Sequence, residues 1–418
     1  MRSFKFRATV LILIAFVLGC SEFIVVGILN DLAHQFDKSV TTVGYLVTIF
    51  AFVYAFSTPI LTALIAKFRY FWSLFWFMII FILSNLMSFI APNYNFLIVS
   101  RIMTALVSGI IISLALIFAN LIAPLEKRAW LVSWVFSGFS IASVFGVPLS
   151  TWISTTFNWR IAFAVITIAS IMTLILFTFS MPKTPVAKSS KLLEQLTLVR
   201  DSRIWLGSLL VMLSASGIYV FYTYLRPILT TELGFSTSSL SILLFVFGLM
   251  SIISNQASGY LAENDGLLRM PLVYSCQVIL FILMIFLPYI KWLGLLLILL
   301  LGITMYLLNA PVQVHFFSVA EKEYPQSLVL SSSLNSIFFN FGISLGSATG
   351  GILVTNHGLA VIGPGASGFA LLAIITAILL NREIKRHNRI KPGITVEVDE
   401  GYDINQGNMS DSKLNGKV

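Results

Sequence analysis

Long apolar stretches alternate with short polar segments along most of the chain. Twelve of these stretches are about as long as the 20 or so residues that an α-helix needs to cross a bilayer. The pattern therefore predicts an all-α polytopic membrane protein with twelve transmembrane helices. The predicted spans are residues 8–29, 41–66, 71–91, 95–123, 129–153, 160–180, 204–229, 237–262, 270–289, 292–317, 327–354 and 359–381.

Composition supports this class. Of the 418 residues, 58% are hydrophobic and 10% are charged, and the mean hydropathy is +0.94. A soluble domain has roughly 25% charged residues, so a water-soluble protein is excluded. Basic residues precede the first stretch, as in a secretory signal, but that stretch is as long as a full span. Glu22 and Phe23 also stand where a cleavage site needs small residues, which indicates an uncleaved first helix.

The net charge of +9 indicates membrane topology rather than nucleic-acid binding. If the N-terminus is cytoplasmic, most of the 26 Lys and Arg residues fall in cytoplasmic segments. The exceptions are Lys38, Arg160 and Lys291 outside, and Arg101 and Arg226 within spans. The positive-inside rule then predicts a multi-pass protein of the bacterial inner membrane with both termini cytoplasmic.

The longest internal polar segment, residues 181–203, predicts a cytoplasmic linker between two six-helix bundles, residues 1–180 and 204–381. The polar composition of residues 382–418 predicts a disordered cytoplasmic tail. A charged turn recurs at equivalent places in the two bundles, as Glu126-Lys127-Arg128 before the fifth helix and as Glu321-Lys322-Glu323 before the eleventh. This repetition indicates a pseudo-symmetric transporter with its binding site between the bundles, near the middle of the membrane.

Small residues recur every four positions in two spans, where they predict close helix contacts. They are Gly138, Ala142, Gly146 and Ser150 in the fifth span, and Gly342, Gly346 and Gly350 in the eleventh. Pro148 in the fifth span removes a backbone donor and predicts a kink. A kinked helix with a small-residue face suits an interface that moves.

Six segments match a known family in order and spacing. They are SEFIVVGILNDLA at 21–33, RIMTALVSG at 101–109, SGFSIASVFGVPLST at 137–151, NWRIAF at 158–163, TYLRPILTTELGFS at 223–236 and SSLNSIFFNFGISLGSATGG at 332–351. Together they resemble the major facilitator superfamily and, within it, the twelve-helix drug/proton antiporter family. The branch that they resemble includes sugar-efflux, arabinose-polymer, purine-efflux and chloramphenicol-resistance transporters.

The resemblance implies proton-coupled efflux, by antiport, of small organic solutes such as sugars, nucleosides or drugs, carried out by a monomer. It implies coupling roles for Glu22 and Arg101 and conformational roles for Gly146 and Pro148. The family's latch after the second helix departs from its pattern, since Ala63 and Lys67 replace a glycine and an aspartate. The same latch motif recurs after the eighth helix, where Gly259 and Glu263 keep the glycine and the acidic residue. In the fifth helix, Ser150 and Thr151 replace the glycine pair that ends the family's antiporter motif.

Ionisable side chains within spans are costly and mark functional sites. Glu22 and Arg101 both lie roughly 10 Å below the outer surface at 1.5 Å per residue, so they can face each other. A carboxylate whose proton affinity depends on a nearby guanidinium predicts a proton switch, and a static salt bridge is the alternative. Arg226 either snorkels to the surface or meets an anionic or polyhydroxy substrate. Asp31 either guards the outer vestibule or solubilises a loop.

Uncharged polar groups within spans complete the candidate cavity: Tyr222, Asn309, Gln313, Asn335 and Asn340. Amides in a membrane need a polar partner, so these side chains should face protein or water. Hydrogen bonding between helices, without substrate contact, explains them equally well.

Enzyme, metal and cofactor functions find no support in the sequence. GPGASG at 363–368 has no Lys-Ser/Thr after it, so it does not predict a phosphate loop. The four histidines are far apart, and no Cys/His cluster has metal-ligand spacing. A proton-coupled efflux transporter is the favoured function. An uncoupled facilitator of a sugar-like solute is one alternative, and a non-transporting membrane sensor is another.

Overall fold

A computed structural model describes residues 2–65, 68–124, 127–183, 196–286, 290–324 and 327–390. This part of the chain contains twelve helices that are long and apolar enough to span a membrane, as the hydrophobic pattern predicted. The first six are α1 Arg2–Gln35, α2 Val40–Ile65, α3 Tyr70–Ile90, α4 Tyr94–Ile122, α5 Arg128–Thr156 and α6 Trp159–Ser180. The last six are α7 from Ser202–Tyr222, α8 Thr237–Glu263, α9 Gly266–Leu283, α10 from Lys291–Thr304, α11 Leu328–His357 and α12 Ile362–Ile390.

Two helices that the sequence predicted as continuous are interrupted near a proline. After Tyr222, α7 resumes as Leu225–Pro227 and a π-helical turn, Ile228–Glu232, while α10 resumes as Asn309–Glu323. Proline lacks an N–H and clashes with the carbonyl four residues before it. Pro227 and Pro311 stand four residues after Thr223 and Leu307, which lie in the two breaks.

The backbone donors freed at the α10 break are satisfied by α8. Ser254 Oγ accepts a hydrogen bond from the N–H of Tyr306 at 2.8 Å, and Ser258 Oγ accepts one from the N–H of Ala310 at 2.9 Å. Broken helices are tolerated inside a membrane when such partners are present. By contrast, α5 continues through Pro148.

The predicted disorder of the tail is wrong for its first residues, because α12 continues to Ile390. Side-chain contacts hold this extension. Asn381 donates to the carbonyl of Leu267 in α9 at 2.9 Å, and Ser202 donates to Glu383 at 3.0 Å. Residues 391–418 and 184–195 lie outside the described residues, so the remainder of the predicted tail and most of the predicted linker are not described.

The helices form two pseudo-symmetric six-helix bundles, α1–α6 and α7–α12. Helix α1 packs on α5 as α7 packs on α11, and the bundles meet where α2 contacts α11 and α5 contacts α8. We call the side where α1 begins and α12 ends the terminal face, and the other side the opposite face.

The bundles share one hydrophobic core toward the opposite face. That core contains residues from both bundles, for example Leu29 of α1 and Ile228 of α7. Toward the terminal face each bundle has its own core, one around Phe118 and the other around Phe316. The structure is therefore closed at the opposite face, with its bundle-to-bundle packing concentrated there.

Glycines allow close helix contacts in each bundle. A Cβ on Gly138 would lie 2.8 Å from the carbonyl oxygen of Ile12 in α1, and a Cβ on Gly342 would clash with the carbonyl oxygen of Met212 in α7. The two contacts occupy equivalent places in the two bundles. The small-residue pattern thus marks the α1–α5 and α7–α11 contacts.

We expect Gly342→Ala to lower the thermal unfolding midpoint, because the new methyl group must push two helix backbones apart. Overpacking of this kind costs about 1–3 kcal/mol. The matched control is Gly368→Ala in α12, where a Cβ would meet nothing within 4 Å. Tryptophan fluorescence of the purified protein in detergent measures both midpoints. Equal midpoints for the two variants would contradict the assigned packing.

Candidate functional site

The candidate site lies at the centre of the fold, where Glu22 projects from α1. Its carboxylate is close enough to interact electrostatically with Arg101 on α4 and with the hydroxyl groups of Tyr54, Tyr219 and Tyr306. Tyr54 belongs to the N-terminal bundle, and Tyr219 and Tyr306 belong to the C-terminal bundle. Glu22 therefore sits between the bundles, surrounded by polar groups from both.

Arg101 is fully buried, with 0% of its surface exposed. Its guanidinium donates to the carbonyl of Ser21 at 2.7 Å and to Ser21 Oγ at 3.3 Å, and it lies 4.6 Å from the ring centroid of Phe50. Ser21 Oγ in turn donates to Asn85 Oδ1 at 2.8 Å. These contacts fix Arg101 beside α1 through the residue that precedes Glu22.

The structure brings Glu22 and Arg101 together, but it does not join them in a salt bridge. Within the described residues, no Arg101 nitrogen has a carboxylate oxygen within 4.0 Å. Both side chains line one small cavity with Phe50, Tyr219 and Ile343. Its volume of about 10 Å³ is close to what one buried water requires. In this conformation the carboxylate is therefore not bound to the guanidinium.

Aromatic side chains of the C-terminal bundle form the wall facing Glu22. Tyr219 packs edge-on against Tyr222 with 5.3 Å between centroids, and Tyr222 stacks on Phe247 at 5.7 Å. Tyr306 and Phe339 are stacked at 6.3 Å. The predicted site residue Tyr222 is thus part of a larger aromatic cluster.

Sequence reasoning missed Tyr306. It lies in the break of α10, and its hydroxyl group lies beside Ser143 of α5, in the other bundle. The signal that could have found it was Pro311, because a proline predicts an irregular segment about four residues earlier. Irregular backbone at membrane depth occurs where it is buried in protein or lines a cavity.

The predicted amides differ in their surroundings. Asn340 donates to the carbonyl of Ser336 at 3.1 Å, and its buried Oδ1 accepts no hydrogen bond from the described protein. Asn335 Oδ1 also lacks a partner there. Gln313 donates a long hydrogen bond of 3.4 Å to the carbonyl of Ser331. Asn309 is the first residue of the second segment of α10. Asn340 lies one helical turn from Ile343, which lines the cavity beside Glu22.

The structure places Arg226 at the opposite face, in a contact between the bundles. Its guanidinium binds both carboxylate oxygens of Asp31, with nitrogen–oxygen distances of 2.7 and 2.9 Å, and donates to the carbonyl of Gly27 at 2.8 Å. The Arg226 side chain is 3% exposed, that of Asp31 is 26% exposed, and Ser154 of α5 also donates to Asp31. This pair joins α1 to the segment that follows α7 and ties the two bundles together at the opposite face.

Further contacts between the bundles lie on the same side of Glu22. The hydroxyl groups of Thr48 and Ser347 are 2.7 Å apart, and a Cβ on Gly351 would lie 3.0 Å from the hydroxyl oxygen of Tyr224 and 3.3 Å from the ring of Tyr45. These contacts are small and polar or depend on a glycine. They supplement the hydrophobic core that the two bundles share toward the opposite face.

A second ionic cluster braces the terminal face of the C-terminal bundle. Arg203 at the start of α7 donates to Asp201 at 2.6 Å and to Glu323 at the end of α10 at 2.7 Å, and His387 of α12 lies 3.0 Å from Glu323. Burial raises the pKa of Asp201, but hydrogen bonds from Arg203 lower it by more, so it stays below its usual range. The carboxylate therefore keeps its charge at neutral pH and loses it only as the pH falls through that lowered pKa.

The predicted latch residues are partly described. Gly259 has open space around it, and Glu263 is exposed at the end of α8. Gly146 packs against Cys20 of α1, where a Cβ would lie 3.1 Å from the sulfur. Lys67 and the side chain of Ala63 lie outside the described residues. The conformational roles of these residues remain predictions.

Comparison with known proteins agrees with this architecture. The MFS-type transporter YtbD of Bacillus subtilis is 33% identical over 347 residues, which cover 82% of this chain and 87% of that protein. The inner membrane transport protein YdhP of Escherichia coli is 29% identical over 370 residues, which cover 86% of this chain and 92% of that protein.

Among solved structures, the fold is similar to a bacterial homolog of the human lysosomal transporter Spinster, in an inward-facing and unoccupied conformation. The TM-score is 0.73 at 16% identity, over 92% of this chain and 98% of that one. The family model of the Major Facilitator Superfamily matches residues 11–329. Twelve helices in two six-helix bundles around a central polar site, together with these matches, show that the chain belongs to the major facilitator superfamily and is a multi-pass membrane transporter.

Proposed function

We propose that the protein is a proton-coupled antiporter that exports small organic solutes across the bacterial inner membrane, with both termini in the cytoplasm. The observation that carries this proposal is the position of Glu22. It is a carboxylate between the bundles, beside Arg101 but not bonded to it. Such a group can exchange a proton for a substrate contact without breaking a salt bridge.

Alternating access supplies the sequence of events. With the opposite face closed by Asp31 and Arg226, the proposed cycle begins with the central site accessible from the terminal face, which is the cytoplasm in our proposal. Glu22 releases its proton there, and the ionised carboxylate binds a donor group of the solute. After the bundles rock, a proton from outside binds Glu22 and the solute leaves. Each cycle moves one solute out and at least one proton in.

The surroundings of Glu22 favour a neutral or singly charged solute. The site offers one carboxylate, the aromatic faces of Tyr219, Tyr222 and Tyr306, and the amide of Asn340. Aromatic faces pack against rings or planar groups, and amide and hydroxyl groups bind hydroxyl-bearing molecules. Sugars, nucleosides and neutral drugs meet these requirements. The protein works as a monomer in this proposal, because each site is built within one chain.

The test is transport by the purified protein in liposomes with an imposed pH gradient. A panel of labelled sugars, nucleosides and neutral antibiotics is supplied on the side of the terminal face. Accumulation of one class against its own gradient, abolished by an uncoupler, is the expected result. Movement of a solute only down its gradient, whatever the pH difference, would point to an uncoupled facilitator instead.

A further inference from the structure

The end of α12 carries a stripe of basic side chains on its outer surface. Arg382, Lys385 and Arg386 are all exposed, and at 100° per residue they lie within an arc of about 100°. The Arg386 side chain is 73% exposed, and its nearest carboxylate oxygen, on Glu383, is 3.9 Å away. The three charges therefore point away from the protein on one side of the helix.

The other side of the same segment is held against the bundle. Ile384 packs on the core of the C-terminal bundle, Glu383 accepts a hydrogen bond from Ser202, and His387 contacts Glu323. These contacts fix the rotation of the helix about its axis. The direction of the basic stripe is thus set by the fold.

The basic stripe continues the apolar stripe of the membrane-spanning part of α12. The exposed apolar side chains are Leu371, Leu372, Ile375, Ile378 and Leu379. At 100° per residue they lie on the same side of the helix as the basic residues, and the opposite side carries buried Ala373, Ala377 and Leu380. One side of α12 therefore carries apolar side chains along its membrane-spanning part and basic side chains beyond it.

The spacing along the helix places these charges at the headgroups. At 1.5 Å per residue, Arg382 to Arg386 lie about 5 to 10 Å beyond Leu379 along the helix axis. The polar region on each side of a bilayer is about 5 to 8 Å thick, and long basic side chains can bend toward it. The equivalent helix of the other bundle, α6, ends at Ser180 with Phe179 exposed, and its next basic residue is Lys183. The stripe is thus a feature of the C-terminal bundle.

We propose that Arg382, Lys385 and Arg386 form a binding surface for the headgroups of anionic phospholipids at the terminal face. Charge complementarity and the adjoining acyl-facing stripe select a lipid over a soluble anion, because the phosphate and the acyl chains are bound together. The bound lipid anchors α12, which is connected through His387 and Glu323 to the ends of α7 and α10.

The test is lipid binding to the full-length protein by native mass spectrometry, with dioleoylphosphatidylglycerol as the probe and the zwitterionic phosphatidylcholine for comparison. Neutralising the stripe with Arg382→Gln, Lys385→Gln and Arg386→Gln is expected to weaken phosphatidylglycerol binding at least about tenfold, since each surface cation contributes about 1 kcal/mol. Phosphatidylcholine binding is expected to stay unchanged. Thermal unfolding of each variant checks that it is folded.

The matched control removes three exposed basic residues from the same face of the other bundle, Lys5→Gln, Arg69→Gln and Lys127→Gln. Because these three residues lie on or just before three separate helices and form no stripe on one helix, the control is expected to bind phosphatidylglycerol as the wild type does. The charge-preserving variant Arg382→Lys with Arg386→Lys is also expected to bind. An equal loss in the stripe variant and the control, or no loss in the stripe variant, would overturn the proposal.

Discussion

Replacing Glu22 with Gln is expected to reduce transport driven by a pH gradient to the level of liposomes without protein. The amide keeps the size and hydrogen-bonding capacity of the side chain but cannot take up or release a proton. Exchange of labelled for unlabelled solute at equal, saturating concentrations is expected to continue with a weaker affinity for the solute, because the neutral amide still accepts a hydrogen bond and exchange needs no net proton movement. The measurement compares initial rates of both processes in the same vesicles.

A control carboxylate distinguishes coupling from a general loss of charge. Glu321→Gln removes an exposed carboxylate at the end of α10, far from the central site, and should leave both rates unchanged. If Glu22→Gln still concentrated solute at the expense of a pH gradient, Glu22 would have no coupling role. Equal loss of driven transport and of exchange at saturating solute would assign it to packing instead.

Breaking the Asp31–Arg226 pair is expected to open the opposite face. Removing one partner of a buried, hydrogen-bonded charge pair costs about 2 kcal/mol or more. The closed conformation alone contains this contact, so the ratio of closed to open molecules should fall by roughly thirtyfold. Both Asp31→Asn and Arg226→Gln should produce this shift. The double variant should add little to either single change, because the interaction is already lost.

Distances between spin labels provide the measurement. Cysteines replacing Lys38, in the turn between α1 and α2, and Thr237, at the start of α8, report on the opposite face, since both residues are exposed there. The native Cys20 and Cys276 are first replaced by alanine. We expect a short distance between the two labels in the wild type, and an additional population with a longer distance in the variants. Ser154→Ala, which removes only a neutral donor to Asp31, serves as the control, and additive effects of the two charge changes would argue against a direct gate.

The number of spans and the two-bundle fold were predictable because each depends on local sequence. A stretch of apolar residues must be helical in a bilayer, since every backbone polar group needs an internal partner. The interruptions in α7 and α10 were harder to predict, because a proline inside a membrane helix breaks it in one context and is accommodated in another. Pro311 and Pro148 illustrate the two outcomes.

Only those site residues that are unusual at their sequence positions could be predicted. Glu22 and Arg101 are conspicuous because charge within an apolar span is costly. Their hydrogen-bond partners are not, since Ser21 resembles any other serine in the sequence. The pairing of Asp31 with Arg226 joins residues 195 positions apart, and no local pattern specifies it. Tyr306 was missed for the same reason, because its place depends on how α10 breaks and packs against α5.

Proton movement driven by the solute tests the central claim most directly. Vesicles containing the purified protein start with no pH difference, and the transported solute is added to one side while a pH indicator follows the medium. If solute and protons exchange through Glu22, solute uptake will release protons and acidify the medium, and Glu22→Gln will give no signal. Solute uptake by the wild type without any change in pH would contradict proton antiport.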